Sequence, residues 1–415
     1  MKKLARHLVL KFLSLHARRR VSAKSTIVGI TGSVGKTTAK DAAAQILASR
    51  FTVLANAKSF NSEFGVPLTL LEEESGFSNP LKWLGILWRA EWRGTQKLEA
   101  AKIVLELGAD RPGDLSRLLE IVRPQIGVFL NVAPVHLGPG QFASLEAIAR
   151  EKRKLIENLP KNGVAILNAD DEFSRKTKTN ARKIFFGLDK SANLRASKIR
   201  EDLTGLSAQI AWGQEKAELK IPILGRQNLG SILAAVAIGL ANGISLKKAI
   251  SALKDFHLPP GRLNLLAGIK GSKILDGSYN SNPKSLAAAL ETLENLPAKR
   301  KIFLGGQMNE LGTNSLKFHH ELGAKAAKVS DLVIGVFGAA EQFVQAAKLA
   351  KKPTRFFETA RQAGEFLKKE IRPGDLILAK GSQNQVRLEQ ALVKILRNPA
   401  DRRLLCRQEN AWKKR

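Results

Sequence analysis

Residues 26–38 constrain the fold more than any other segment. Thr-Ile-Val-Gly-Ile over residues 26–30 is typical of a buried strand, and Thr-Gly-Ser-Val-Gly-Lys-Thr-Thr follows directly and opens a helix. Such a loop lets backbone N–H groups approach phosphates at a helix N-terminus. Ile30 stands where the strict Walker pattern has glycine, so the loop is a shortened variant. The residues predicted to bind a nucleoside triphosphate are Gly32, Ser33, Gly35, Lys36, Thr37 and Thr38.

The rest of the chain alternates short β-rich runs with helical stretches, which predicts an α/β fold. At 415 residues the chain is too long for one ordinary core. We predict an N-terminal helix (1–24), a central P-loop-type ATPase domain with a mostly parallel sheet (25–262) and a C-terminal Rossmann-like domain (263–415). The clearest predicted strands are 26–31, 103–107, 126–131 and 164–168 in the central domain, and 274–276, 301–304, 332–336 and 376–379 in the C-terminal domain.

The charge balance is strongly basic, with 68 Lys and Arg against 37 Asp and Glu, a net charge of +31. Such a field attracts nucleotides, nucleic acids and acidic lipid surfaces, but the basic residues are spread along the whole chain and select none of these. No helix-turn-helix, zinc-finger or RNA-binding signature is present, so no nucleic-acid partner is expected. One cysteine, Cys406, excludes an internal disulfide framework and suits the cytoplasm.

Residues 1–20 form a second distinctive segment, a predicted basic amphipathic helix without any acid. Leu4, Leu8, Phe12 and Leu15 recur at helical spacing among lysines and arginines. Lys11 interrupts the apolar run, which argues against a signal peptide. The helix either packs on its own domain or lies on a membrane surface at the inner face of the cell.

Residues 80–93 form a predicted helix with three of the five tryptophans. Leu81, Leu84, Trp88 and Trp92 fall on one face, which we expect to belong to the core or to a lid over a pocket. Trp and Arg together also suit a bilayer interface, so peripheral membrane contact through residues 1–20 and 80–93 is the alternative.

The phosphate loop and several later motifs resemble the Mur ligase superfamily. In chain order they are Asn-Ser-Glu-Phe-Gly-Val-Pro (61–67), Glu-Leu-Gly-Ala-Asp (106–110), Asn-Val (131–132) with His-Leu (136–137), Glu-Lys (151–152), Gly-Arg-Gln-Asn (225–228), Pro-Gly-Arg (260–262), Asp-Gly-Ser-Tyr-Asn-Ser-Asn-Pro (276–283), Gly-Gln-Met-Asn-Glu-Leu-Gly (306–312) and Lys-Gly-Ser (380–382). The last two strings are similar to MurF enzymes, which add D-alanyl-D-alanine to UDP-N-acetylmuramoyl-tripeptide.

The resemblance implies an ATP-dependent amide ligase that activates a carboxylate as an acyl phosphate and works in peptidoglycan precursor synthesis. It implies two Mg²⁺ ions held by Thr37, Glu106 and His136, and catalytic roles for Lys36, His136 and Lys152, the last as a carbamate. Adenine, ribose or phosphate contacts are implied for Asn228, Arg262 and Asp276. The residues implied to contact the substrates are Asn61, Asn280, Asn282, Lys380 and Ser382.

One departure from MurF enzymes is the expected uridine-binding domain, which does not precede the phosphate loop in this sequence. Two alternatives therefore stay open. The ligase chemistry could serve a different carboxylate, lipid-linked or polyglutamate-like, or the chain could be a non-catalytic ATP-binding scaffold at the membrane. The partners expected for the leading interpretation are a nucleotide-sugar peptide and D-alanyl-D-alanine, with a monomeric enzyme.

Overall fold

The computed structural model describes residues 2–57, 60–77, 79–138, 140–383 and 385–408. Met1 of the predicted N-terminal helix and residues 409–415 of the predicted C-terminal domain lie outside the described residues.

The first of two sheets has nine strands within these residues, in the order β2-β3-β1-β4-β5-β6-β7-β8-β9. Their bounds are β1 (Thr26–Thr31), β2 (Val53–Ala55), β3 (Lys102–Glu106), β4 (Ile126–Phe129), β5 (Val164–Asn168), β6 (Arg182–Gly187), β7 (Leu194–Asp202), β8 (Gly205–Trp212) and β9 (Glu215–Ile221). Strands from β2 to β7 are parallel neighbours, as expected. The hairpins of β7, β8 and β9 are antiparallel, which is not predicted from the sequence: the first turn, Leu203-Thr204, has no hairpin signal, although Gly213 opens the second.

Helices cover both sides of this sheet. They are α1 (Lys2–Arg20), α2 (Lys36–Ala48), α3 (Gly65–Leu70), α4 (Pro80–Gly94), α5 (Asp114–Ile121), α6 (Leu145–Glu157), α7 (Glu172–Arg175), α8 (Leu229–Ala241) and α9 (Leu246–Ser251), with a 3₁₀ turn at Arg226–Asn228. One core lies against α2 and α8, and the other lies against α1, α3, α5 and α6. The phosphate loop between β1 and α2 is therefore anchored on a strand that is buried on both faces.

The second sheet has six strands within the described chain, in the order β10-β11-β15-β12-β13-β14. The strands are β10 (Asn264–Ala267), β11 (Lys273–Gly277), β12 (Arg300–Gly306), β13 (Leu332–Val336), β14 (Thr354–Phe357) and β15 (Asp375–Lys380). The helices beside this sheet are α10 (Pro283–Asn295), α11 (Ser315–Val329), α12 (Glu341–Leu349), α13 (Ala360–Glu370) and α14 (Glu389–Leu392). Short 3₁₀ turns occur at Ile269–Gly271, Gly312–Asn314, Gly338–Ala340 and Pro399–Leu404. Its strands are parallel except for β10.

The predicted α/β fold class, with a large mostly parallel sheet and a smaller second one, is confirmed. Predicted strand ends differ from the observed ones by at most two residues, the range over which strand ends are hardest to place. The two sheets fall on either side of residue 262, and the domain limits at 24 and 262 stay a prediction.

The apolar face of α4 contradicts the expectation of a core or lid. Leu81, Leu84, Trp88 and Trp92 are 77%, 63%, 74% and 59% exposed. The opposite face, with Ile86, Ala90 and Gly94, is the buried one. This face includes the small residues Ala90 and Gly94 because α4 packs closely on α1. A Cβ on residue 94 would lie 2.5 Å from the His16 Nδ1 atom.

Helix α1 shows the same division. Leu13 and Ala17 are buried against the first domain, whereas Leu4, Leu8 and Leu15 are exposed. The predicted packing of this helix on its own domain is therefore observed, with an apolar stripe left over. Among the described residues, no helix combines the length and the apolar character that crossing a bilayer requires.

Candidate active site

The phosphate loop has the conformation that its glycines predict. Gly35 precedes the first residue of α2 with φ 86°, a left-handed conformation that favours glycine. Asn131, which follows β4, holds the loop from the side: its Oδ1 accepts from the Val34 N–H at 3.0 Å and its Nδ2 donates to the Val34 carbonyl at 3.0 Å. Lys36 donates from Nζ to the Gly32 carbonyl at 2.9 Å, closing the loop where phosphates would enter.

Glu106, at the carboxyl end of β3, lies directly beside the loop. Its Oε2 accepts from the Thr37 hydroxyl at 2.8 Å, and its Oε1 accepts from the Asn61 amide at 2.9 Å. Burial raises the pKa of this carboxyl, but the charge of Lys36 and these two hydrogen bonds outweigh burial, so the pKa is lowered overall. Glu106 is therefore ionised at neutral pH.

A cavity of 340 Å³ lies at this point, between the ends of the two sheets. Twelve residues predicted as site residues line it: Ser33, Gly35, Lys36, Thr37, Thr38, Asn61, Glu106, His136, Arg262, Asn280, Asn282 and Lys380. Residues separated by more than 300 positions in the chain thus meet in one cleft, at the carboxyl ends of parallel strands where ligands bind in open α/β folds.

His136 joins the two sides of this cleft. Its Nε2 lies 3.3 Å from Asp110 Oδ1, and its Nδ1 lies 2.8 Å from Glu310 Oε2. The contact with His136 lowers the pKa of Glu310. An imidazole between a carboxylate of the first domain and one of the second domain can hold the cleft closed or share a cation with them.

Lys152 lies on α6 beneath the site and does not line the cavity. Its side chain is almost fully buried, and burial, with a smaller contribution from the Lys36 charge, lowers its pKa to about 7. Neighbouring Lys154 instead pairs with Glu151 at 2.7 Å. Of the lysines in this run, only Lys152 is therefore directed inward as the motif requires.

Two cations, Arg262 at the domain boundary and Lys380 of the second domain, form the far wall of the cavity. Lys380, at the end of β15, donates from Nζ to the Asn280 carbonyl at 2.8 Å. Burial, together with the Arg262 charge, lowers the pKa of Lys380 to about 7. The Arg262 guanidinium lies over the Tyr279 ring, 4.1 Å from its centroid.

Four other predicted residues do not line the cavity: Gly32, Asn228, Asp276 and Ser382. For the last three, direct ligand contact in this cavity is not supported. Asn228 donates to the Leu224 carbonyl at 2.7 Å in a turn before α8. Asp276 is fully buried with a raised pKa and accepts from the Ser278 N–H at 3.0 Å. Ser382 is buried and accepts from the Asn309 N–H at 3.0 Å, so it supports the wall from behind.

Asp110 and Glu310 are the charged lining residues that sequence reasoning missed. Both lie inside strings that the resemblance rests on, Glu-Leu-Gly-Ala-Asp and Gln-Met-Asn-Glu, so their position there was the available signal. A second cavity of 390 Å³ shares Asn61 and Asp110 with the first and is also lined by Arg6, Arg111 and Arg117.

The family models match most of the chain. A model described as the Mur ligase middle domain matches residues 30–239, and one described as the Mur ligase, glutamate ligase domain matches residues 261–383.

Relatives with assigned names belong to the same family as the matching models. The chain is 31% identical over 333 residues to the UDP-N-acetylmuramoyl-tripeptide–D-alanyl-D-alanine ligase of Escherichia coli K12, covering 79% of this chain and 68% of that protein. It is 30% identical to the enzyme of the same name from Mycobacterium tuberculosis H37Rv, covering 90% and 73%.

Solved structures give the same result and confirm the family predicted from the motifs. MurF ligase from Thermotoga maritima in complex with ADP superposes with a TM-score of 0.78 at 26% identity, covering 93% of this chain and 83% of that one. MurF from Acinetobacter baumannii superposes with a TM-score of 0.78 at 25% identity, covering 93% and 79%. The chain belongs to the Mur ligase family.

Proposed function

We propose that this protein joins D-alanyl-D-alanine to a UDP-N-acetylmuramoyl-tripeptide with ATP, as its relatives are named for doing. As a Mur ligase the chain is an ATP-dependent ligase of peptidoglycan precursor synthesis, which implies work in the cytoplasm. The observation that carries the proposal is the single cleft that brings the phosphate loop and Glu106 opposite Arg262 and Lys380.

The phosphate loop would bind the triphosphate of ATP. Backbone N–H groups of the loop and the N-terminus of α2 favour phosphate, and Lys36 adds a full positive charge. The carboxylate of the acceptor would attack the γ-phosphorus and release ADP, giving an acyl phosphate. The amine of the dipeptide would then attack the acyl carbon and release phosphate. Positioning and charge neutralisation dominate such chemistry.

The donor atoms beside the loop fit Mg²⁺. The Thr37 hydroxyl and the Glu106 carboxylate lie 2.8 Å apart and are the oxygen ligands that this ion prefers. Two protein oxygens are enough, because Mg²⁺ is usually held by one or two carboxylates and otherwise by water and substrate phosphate oxygens. When bound, Mg²⁺ supplies charge neutralisation on the phosphates; His136 would serve a second ion.

Lys152 fits the proposed carbamate. With a pKa of about 7, an appreciable fraction of its amine is neutral at physiological pH, and a neutral amine can attack CO₂ and release a proton. The resulting anion would lie among charges that include Lys36, Asp110 and Glu106. It would turn a buried cation, which costs desolvation energy, into a partner for the second Mg²⁺.

The two substrates have separate places in this scheme. The second cavity lies beside Asp110 and would receive the acceptor; Arg6 and Arg117 in its lining pair with Glu63, and Arg111 lines it as well. Arg262 and Lys380 would meet the carboxylate of the incoming dipeptide on the opposite wall. Asn61 donates a hydrogen bond to Glu106, and the Asn282 side chain caps α10 by accepting from the Ser285 N–H at 2.9 Å. Both residues would therefore hold other parts of the cleft in place.

The test is phosphate release by the purified protein with ATP, Mg²⁺ and UDP-N-acetylmuramoyl-tripeptide, with and without D-alanyl-D-alanine. Release that requires both substrates, with the pentapeptide seen by mass spectrometry, is expected. Lys36→Ala is the control for contaminating ATPases. Phosphate release that does not depend on one of the two substrates, in a protein that still binds ATP, would contradict the proposed substrate pair.

A further inference from the structure

Two neighbouring helices display most of the exposed large apolar side chains of the described chain. Twelve such side chains are exposed, and seven belong to α1 and α4. We call these seven the apolar face: Leu4, Leu8, Leu15, Leu81, Leu84, Trp88 and Trp92. Exposed apolar patches of this kind mark interaction sites in soluble proteins.

The seven side chains point to the same side of the molecule. On each helix they recur every three, four or seven residues, so each set forms one stripe. The helices contact each other through His16, whose Nε2 lies 3.2 Å from Glu91 Oε2 and whose ring lies against Gly94. Because both helices bury the opposite face on the first domain, the two stripes form one continuous outer surface.

The charge of this surface is positive. Arg6, Arg20, Arg89 and Arg93 pair with glutamates of the first domain, and Glu91 pairs with His16, so the positive charge comes from the remaining basic side chains. Lys11 is exposed within the stripe of α1, and Arg18 and Arg19 are exposed at its end. On α4, Lys82 is exposed near the first turn. Long basic side chains beside Leu and Trp can hold lipid phosphates while the apolar tips enter the acyl region.

We propose that the apolar face of α1 and α4 docks on a bilayer that contains anionic phospholipid. Tryptophan is enriched at membrane interfaces because its ring is apolar and its N–H is polar, and two of the seven side chains are Trp. Basic side chains close to an anionic surface are attracted to it, and this attraction falls off within a Debye length, so Lys11, Arg18, Arg19 and Lys82 beside the apolar face contribute most. The proposal does not depend on the proposed substrates.

The experiment is cosedimentation of the full chain with phosphatidylcholine vesicles, with and without phosphatidylglycerol. We expect binding that requires phosphatidylglycerol and weakens with salt. The double variant Trp88→Gln/Trp92→Gln should lower the partition coefficient about tenfold or more, since two interfacial side chains are lost. The matched control is Leu316→Gln/Leu349→Gln, which removes two equally exposed side chains from α11 and α12 and should change nothing.

A charge-reversal pair separates the local surface from the overall charge. Lys11→Glu/Arg18→Glu and Lys368→Glu/Lys369→Glu change the net charge equally, and all four side chains are exposed. Only the first pair should reduce binding to the anionic vesicles, by about tenfold or more. Equal losses from both pairs would show a non-specific effect of net charge and would overturn the proposal.

Two further results would overturn it. One is an absence of vesicle binding by the unsubstituted protein. The other is a dimer, seen by light scattering, that Trp88→Gln/Trp92→Gln converts to a monomer, because the face would then be covered by a second copy. If the tryptophan pair does not fold, as judged by its thermal unfolding, Leu81→Gln/Leu84→Gln on the same stripe takes its place.

Discussion

Gly35 offers the sharpest test of how the phosphate loop is built. Its φ is 86°, and a Cβ added there would lie 2.3 Å from the Ser231 Oγ atom on α8. Gly35→Ala therefore meets two separate obstacles. The left-handed conformation costs an alanine roughly 1–2 kcal/mol. Turning the Ser231 hydroxyl aside breaks its hydrogen bond to the Gly35 carbonyl, which costs about 1 kcal/mol more.

Ser231→Ala removes only the second obstacle. Once Oγ is absent, the Ser231 Cβ atom lies 3.7 Å away, an ordinary contact distance. The substitution itself loses the hydrogen bond that Ser231 donates to the Gly35 carbonyl at 3.1 Å, a cost of about 1 kcal/mol. In this background Gly35→Ala should cost only roughly 1–2 kcal/mol.

The assay is urea unfolding of the four proteins in this cycle, without ATP because ATP would stabilise the folded state by mass action. We expect a coupling free energy of about 1 kcal/mol or more between the two positions. An equal cost of Gly35→Ala in both backgrounds would refute the reasoning, because Ser231 would then not be the obstacle. Isothermal titration with ATP should rank the affinities of the four proteins in the same order as their stabilities, since Gly35 belongs to the phosphate loop.

Lys36→Ala should abolish ATP turnover in a protein that still folds, because it removes a full positive charge expected on the phosphates; a normal turnover number would contradict the loop assignment. Lys152→Met should flatten the pH dependence of stability in CO₂-depleted buffer. The unfolded chain holds a proton up to about pH 10.5, whereas folded Lys152 releases it above about 7, so stability rises with pH between these values in the parent protein. Identical slopes would exclude Lys152 as a contributor. Arg300→Met should lower the free energy of unfolding by about 3 kcal/mol, since it leaves buried Asp375 unpaired at its 2.7 Å contact. The exposed pair of Lys325 with Glu291 is the control, where Lys325→Met should cost at most about 1 kcal/mol.

The local motifs and the alternation of elements were determined by the sequence itself. The order strand, glycine loop and helix is a local property of residues 26–38, and β1 has the predicted bounds. Strand-end residues such as Glu106 could be placed near the loop, because the carboxyl ends of parallel strands meet at one edge of the sheet. The order of the motifs along the chain is also a property of the sequence, and it was enough to predict the family.

Only the tertiary structure decided what depends on contacts between distant segments. Ser231 packs against Gly35 across 196 positions, and Glu310 reaches His136 from the second domain. Burial shifts the pKa of Lys152, a group that a charged run would place in solvent. The exposure of Trp88 and Trp92 could not be predicted from the sequence either. An amphipathic pattern shows that a helix has two faces, but which face is buried depends on how closely its neighbours pack, and here the small residues Ala90 and Gly94 allow α1 to approach.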